Sequence, residues 1–316
     1  MNSKRKEWID ALRAVAIIMV VYGHQVPEFD GYFVVTSPVK MPLFFLISGY
    51  LFSMKSQRSF YKKVLLTLIV PWLFLGLLPQ ILMTPSEGLS SLVAYVLKML
   101  SGKVIWFMPC FIIGSLLFYY TYALMRNRLI VGGCISAFFF IVGVTASHYH
   151  ILDFSMVNTA MAVQPYFFAG FLFKQIEGQA FVSGCSSIVV SGILFVVFVS
   201  LAFILFPGQS MDVHLSSYYN YPLCFAQTLT GLLFFVLLFR KIENFPSWVT
   251  VIGKASLVIY IWHSWAIIVF NKSIAIIDKN MPSYVYACLS SLAGILICVI
   301  LYKFISKYVP FMIGNR

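Results

Sequence analysis

The chain has 316 residues, 61% of them hydrophobic and 17% aromatic, with only 10% Asp, Glu, Lys and Arg and a mean hydropathy of +0.91. Soluble domains carry roughly 25% charged residues, and no soluble fold of this length hides so much apolar surface, so soluble, disordered and disulfide-scaffold classes are excluded. The net charge of +12 reads as membrane topology and not as nucleic-acid binding, because basic residues collect in cytoplasmic loops.

The apolar runs are long and continuous, which sets aside an outer-membrane barrel with its short alternating segments. The predicted fold is all-α, a polytopic transmembrane helix bundle of about ten spans in a single domain over residues 1–316. In chain order the spans are Trp8–Val26, Met41–Met54, Tyr61–Met83, Val104–Met125, Leu129–Ser147, Ala160–Lys174, Val182–Phe206, Tyr218–Phe239, Val249–Phe270 and Ser283–Tyr308. Turn formers separate them: Pro85-Ser86, Asn127, Pro207-Gly208, Asn244 with Pro246, and Pro282. The first run carries Arg13 and ends in Gly23-His24 with no small-x-small cleavage site, so it reads as a permanent span and not as a signal peptide.

With both termini cytoplasmic, 16 basic residues fall inside, among them Lys4, Arg5, Lys55 and Arg316, and five fall outside: Lys40, Lys98, Lys103, Lys272 and Lys279. That bias agrees with an even span count. The second span, at 14 residues, is short of the roughly 20 needed to cross and holds Pro42 and Gly49, features that mark sites in membrane proteins. The stretch Ser86–Gly102 is expected to lie on or dip into the membrane.

Arg13 sits about one turn inside the first apolar run, where a charge costs roughly 2.5–3.5 kcal/mol at mid-bilayer. His24 follows 11 residues later. Eleven helical steps of about 100° return to within about 20° of the same face, with about 16 Å of rise between the two side chains. Asp10, three residues before Arg13, falls on nearly the same stripe. A guanidinium suits phosphate or pyrophosphate, and an imidazole suits general-base work near neutral pH. In the ninth span Ser256, Tyr260 and His263 share a face within about 60°. Trp106 is read first as an interfacial aromatic. His148, His150 and His214 are taken as solvated loop residues, and the six cysteines as packing residues, with no metal framework expected. Lys55, Arg58, Lys62 and Lys63 form a basic run near the second span.

Trp8-Ile9-Asp10-Ala11-Leu12-Arg13 leading to Gly23-His24 resembles the Arg-x10-His first helix of the membrane-bound acyltransferase-3 superfamily. Met41-Pro42-Leu43-Phe44-Phe45-Leu46-Ile47-Ser48-Gly49-Tyr50 resembles its second-helix signature. Phe60-Tyr61-Lys62-Lys63 before Pro71-Trp72, Trp106-Phe107, Pro165 to Gly170, and Gly253 with Ser256, Tyr260 and His263 follow in the family's order. The appendage-free form is most similar to the fucose 4-O-acetylase-like and enterobacterial-common-antigen acetyltransferase-like branch. Lys40 stands where relatives in that branch often carry His.

The resemblance implies an inner-membrane, multi-pass bacterial O-acetyltransferase. It would move acetyl from acetyl-CoA, the donor substrate, to a hydroxyl of a glycan or lipid-linked sugar, in contact with the lipid bilayer and without nucleic acid or metal. By motif match His24 is the catalytic base and Arg13 its partner. Arg13, Lys62, Lys63 and Ser48 are assigned to the donor, and Asp10, Lys40, Trp106, Tyr260 and His263 to the acceptor. The rival reading is a proton- or sugar-linked transporter or flippase using the Arg13/His24 face. It lacks the mid-span carboxylates and internal repeats expected of it.

Overall fold

A computed structural model describes residues 6–26, 31–53, 56–83, 88–151, 154–179, 184–274 and 283–314. Lys4, Arg5, Lys55, Lys279, Arg316 and the turns at Pro85-Ser86 and Pro282 lie outside these residues. The described chain is helical without a strand, and it is a multi-pass membrane bundle: seven helices are long and apolar enough to cross a bilayer, or nine if each of two bent pairs is one span.

The elements are α1 (Glu7–Gly23), α2 (Gly31–Lys40), α3 (Pro42–Leu51), α4 (Gln57–Val64), α5 (Val70–Met83), α6 (Gly88–Leu100), α7 (Phe107–Met125), α8 (Leu129–His148), α9 (Val157–Ala162), α10 (Gln164–Ile176), α11 (Cys185–Leu205), α12 (Tyr221–Lys241), α13 (Ser247–Lys254), α14 (Ser256–Ile274) and α15 (Ser283–Tyr308). With its 17 residues, α1 is shorter than any of these seven. The apolar helix α6 is also too short to cross. All six cysteines are free.

Three predicted spans are redrawn. The second does not begin at Met41: α2 and α3 run on from Gly31 to Leu51 as one 21-residue span. Thr36, Ser37, Pro38 and Lys40 hide its first half from a hydropathy reading, yet Thr36, Ser37 and Pro38 are buried. Lys40 therefore lies within a span and not in an outer loop. The ninth predicted span is broken, because α13 and α14 meet at Ala255 with a bend of 81°. A second bend, of 46°, separates α9 from α10 at Val163. Between α4 and α5 the helix widens into a π turn over Leu65–Ile69. Pro71 has no N–H to offer Thr67, so a regular α ladder cannot continue there.

The centre of the bundle is the α2–α3 span, 72% buried, while α11 at 22% forms the periphery. Exposed side chains such as Phe138, Ile141, Ile193, Val196, Leu292 and Ile300 give α8, α11 and α15 an apolar outer surface, the surface a bilayer solvates. Glycine allows the central helices to meet backbone to backbone. A Cβ at Gly49 would lie 2.7 Å from the carbonyl carbon of Phe167, and one at Gly170 would lie 2.7 Å from that of Leu46. Any side chain at either position would push α3 and α10 apart.

One end of this core is clamped by charge. Glu177, just past α10, accepts a hydrogen bond from the Tyr50 hydroxyl (2.8 Å) and pairs with Lys6 (3.7 Å) and Arg240 (3.3 Å). Lys6 also donates to the Tyr50 hydroxyl, and the Arg240 guanidinium lies 5.3 Å over the Phe173 ring. The N-terminus of α1, the end of α3, the end of α10 and the end of α12 are thus tied at one point.

Candidate functional site

The site starts from α1. Asp10 is buried and Arg13 is paired with it, the guanidinium 3.7 Å from the carboxylate one helical turn away. This short-range pair reduces the cost of carrying a cation into an apolar bundle. Asp10 does not line the cavity described next, so what it does there it does through Arg13. On the same turn of α1 the backbone of α13 comes in close, with Gly253 against the Asp10 carbonyl.

Between α1, α3, α4 with the π turn that follows it, α7 and α13–α14 lies a cavity of about 610 Å³. Arg13, Ser48, Lys63, Lys254, Ser256 and Tyr260 supply much of its polar lining, and Phe44, Phe107, Phe111 and Phe118 much of its apolar wall. Thr67 and Leu68 of the π turn also face it. Four of the predicted site residues, Arg13, Ser48, Lys63 and Tyr260, therefore converge on one space. Lys62 is exposed on α4 and does not line it. Lys254, one of the sixteen basic residues expected on the cytoplasmic side, also lines the cavity, next to the bend at Ala255.

In the cavity wall the Tyr260 hydroxyl accepts the backbone N–H of Phe107 at 2.9 Å. That N–H belongs to the first turn of α7, which has no partner within its own helix. From Tyr260 the rings continue: its centroid is 6.5 Å from that of His263, and His263 is 5.0 Å from His24. His263 is buried, with Nδ1 at 2.9 Å from the carbonyls of both Ile259 and Tyr260. Two acceptors at Nδ1 assign the proton there, leaving Nε2 as the acceptor beside the Ser264 hydroxyl at 3.3 Å.

His24 itself caps the end of α1 and is exposed. It is not in the cavity wall; the Tyr260–His263 step lies between it and that space. Gln25 fixes this corner. Its side-chain N–H donates to the His24 carbonyl at 3.0 Å, and its carbonyl accepts from Ser290 of α15 at 3.0 Å. No sequence motif marked Gln25 or Ser290, because their pairing joins residues 265 positions apart. The Lys40 ammonium sits 4.4 Å over the Phe33 ring and close to the backbone of Gly23, one residue before His24.

Trp106 lies elsewhere on the site. Its ring stacks on His214 with centroids 4.7 Å apart. His214 is thus not a solvated loop residue as expected from sequence: it is half-buried, its N–H is held by the Asp212 carboxylate at 2.7 Å, and its carbonyl accepts from Thr159 at 2.8 Å. Burial lowers its pKa from the usual imidazole value, and the nearby Asp212 opposes that shift. His148 and His150 are exposed, as expected.

Neither the curated proteins nor the solved structures hold a match to this chain. A family model described as an acyltransferase domain matches residues 6–303, nearly the whole chain. The chain belongs to the acyltransferase-3 superfamily and is a membrane acyltransferase.

Proposed function

We propose that this family member is an O-acetyltransferase of the bacterial inner membrane, one domain over residues 1–316 with ten spans and both termini cytoplasmic. Its donor is acetyl-CoA and its acceptor a hydroxyl on a glycan or lipid-linked sugar, in the manner of the fucose 4-O-acetylase-like and enterobacterial-common-antigen-like branch. The observation that carries this reading is the chain of groups from the Arg13/Lys63 cavity through Tyr260 and His263 to His24. It joins a cationic space suited to phosphates with an imidazole suited to proton transfer.

Arg13, Lys63 and Ser48 hold the donor, and the exposed Lys62 adds positive charge beside them. The apolar walls take the uncharged arm, whose thioester end reaches out of the cavity past Tyr260 and His263 toward His24. Asp10 sets the Arg13 fork. His24 takes the proton from the acceptor hydroxyl, whose oxygen forms a bond to the thioester carbonyl carbon. The tetrahedral intermediate collapses with cleavage of the carbon–sulfur bond, and the proton on His24 passes to the departing thiolate. His263, fixed by its two carbonyls, orients the His24 ring. Lys40 and Trp106 border the acceptor. Family membership favours this group transfer over the transporter reading.

The test is the acetyl content of envelope glycans in cells that depend on this protein for it. His24→Ala at normal expression is expected to abolish the alkali-labile acetyl ester. Full acetylation by that variant overturns the assignment of the base.

A further inference from the structure

Lys254 is the last residue of α13, and the chain then turns by 81° into α14. Gly253 holds this elbow against the Asp10 carbonyl, at a separation that leaves no room for a side chain. The consequence is that Lys254 and Ser256 enter the wall of the same cavity as Arg13 from α1 and Ser59 and Lys63 from α4. Three cations from three separate elements line one space, and among the described residues no Asp or Glu lines it. Like charges brought together on one cavity wall repel one another, and a bound polyanion relieves that cost. Nothing in helix packing requires a lysine at position 254, since α13 meets α1 through Gly253 and Lys254 itself is exposed.

We propose that Lys254 is a binding residue for the phosphates of the acyl donor, so that the cavity selects a donor whose nucleotide end carries several negative charges spread over separate groups. The inference rests on the acetyl-CoA reading above and adds to it the element that grips the nucleotide end. The elbow supplies one cation to the cavity wall, α4 another and α1 the third, Arg13. The broken ninth span is then explained as well. A straight helix through Ala255 could not both pack Gly253 on α1 and turn Lys254 and Ser256 into the cavity.

The experiment is equilibrium binding by the full-length protein in lipid nanodiscs. Acetyl-CoA and adenosine 3′,5′-bisphosphate, the nucleotide end without the acyl arm, serve as separate probes. Lys254→Gln is expected to weaken both by about tenfold or more, the loss of one charge-assisted hydrogen bond, and Lys254→Arg to bind as wild type. Lys303→Gln, an exposed charge on α15 outside the cavity, removes the same net charge and is expected to change neither. Wild-type affinity in Lys254→Gln, or an equal loss in Lys303→Gln, overturns the proposal. Wild-type protein that binds neither probe overturns the donor reading on which it rests.

Discussion

Replacing Gly253 by alanine tests the α1–α13 contact with one methyl group. A Cβ there lies 2.5 Å from the carbonyl carbon of Asp10 and 2.9 Å from its Cα. Carbon atoms in contact prefer about 3.5–4.0 Å, so the two backbones must separate by about 1 Å or more. Both sides of that contact are backbone, with no flexible side chain to give way. The overpacking alone is expected to cost about 1–3 kcal/mol of stability. The displacement also carries Lys254 and Ser256 away from Arg13, and a misplacement of about 1 Å at a reacting site costs on the order of 10²-fold in rate. The assay pairs thermal unfolding in detergent with acetyl transfer at saturating acceptor. Gly178→Ala, where a Cβ meets nothing within 4 Å, is the control and is expected to behave as wild type. A Gly253→Ala protein with wild-type melting and wild-type transfer refutes the claim that this contact sets the cavity.

Two further outcomes follow from the geometry. Tyr260→Phe leaves the Phe107 N–H without its acceptor at the start of α7, so unfolding is expected to become easier by about 1–3 kcal/mol, read by thermal denaturation alongside a drop in transfer; unchanged stability contradicts the bond. The His214 pKa is lowered by burial in the folded state, so the folded protein resists its protonation. The stability it supports is intact above the ordinary imidazole value of about 6.5 and is lost progressively as pH falls from that value through the lower folded-state one. Tryptophan fluorescence of the Trp106–His214 stack is expected to report the same change, and His214→Gln to remove that part of the pH dependence.

Much of the fold was legible because apolar runs and basic loops are local signals. Helices α7, α8, α11, α12 and α15 fall close to their predicted limits. The failures share a cause: burial inside the protein overrides hydropathy. Thr36, Ser37 and Lys40 made the first half of the second span look like loop, although that span is the most enclosed of the seven. The bend at Ala255 has no proline to announce it, and its reason, the Gly253–Asp10 contact, joins residues far apart in sequence. In the site, the 11-residue register of Arg13 and His24 pointed to two useful groups. It did not reveal that they lie apart, one in the cavity wall and the other beyond His263. Gln25, Ser290 and Glu177 carried no sequence signal, because each is paired with a residue distant in the chain.

The most direct measurement is acetyl transfer by the purified protein in lipid, supplied with labelled acetyl-CoA and a glycolipid extract, with Arg13→Gln and His24→Ala alongside. Wild type is expected to place label in an alkali-labile glycan ester, as the acetyltransferase reading requires. His24→Ala is expected to bind acetyl-CoA normally yet transfer nothing, and Arg13→Gln to lose donor affinity first. Transfer by His24→Ala at the wild-type rate, or wild-type protein that binds acetyl-CoA and leaves every glycan unlabelled, contradicts it.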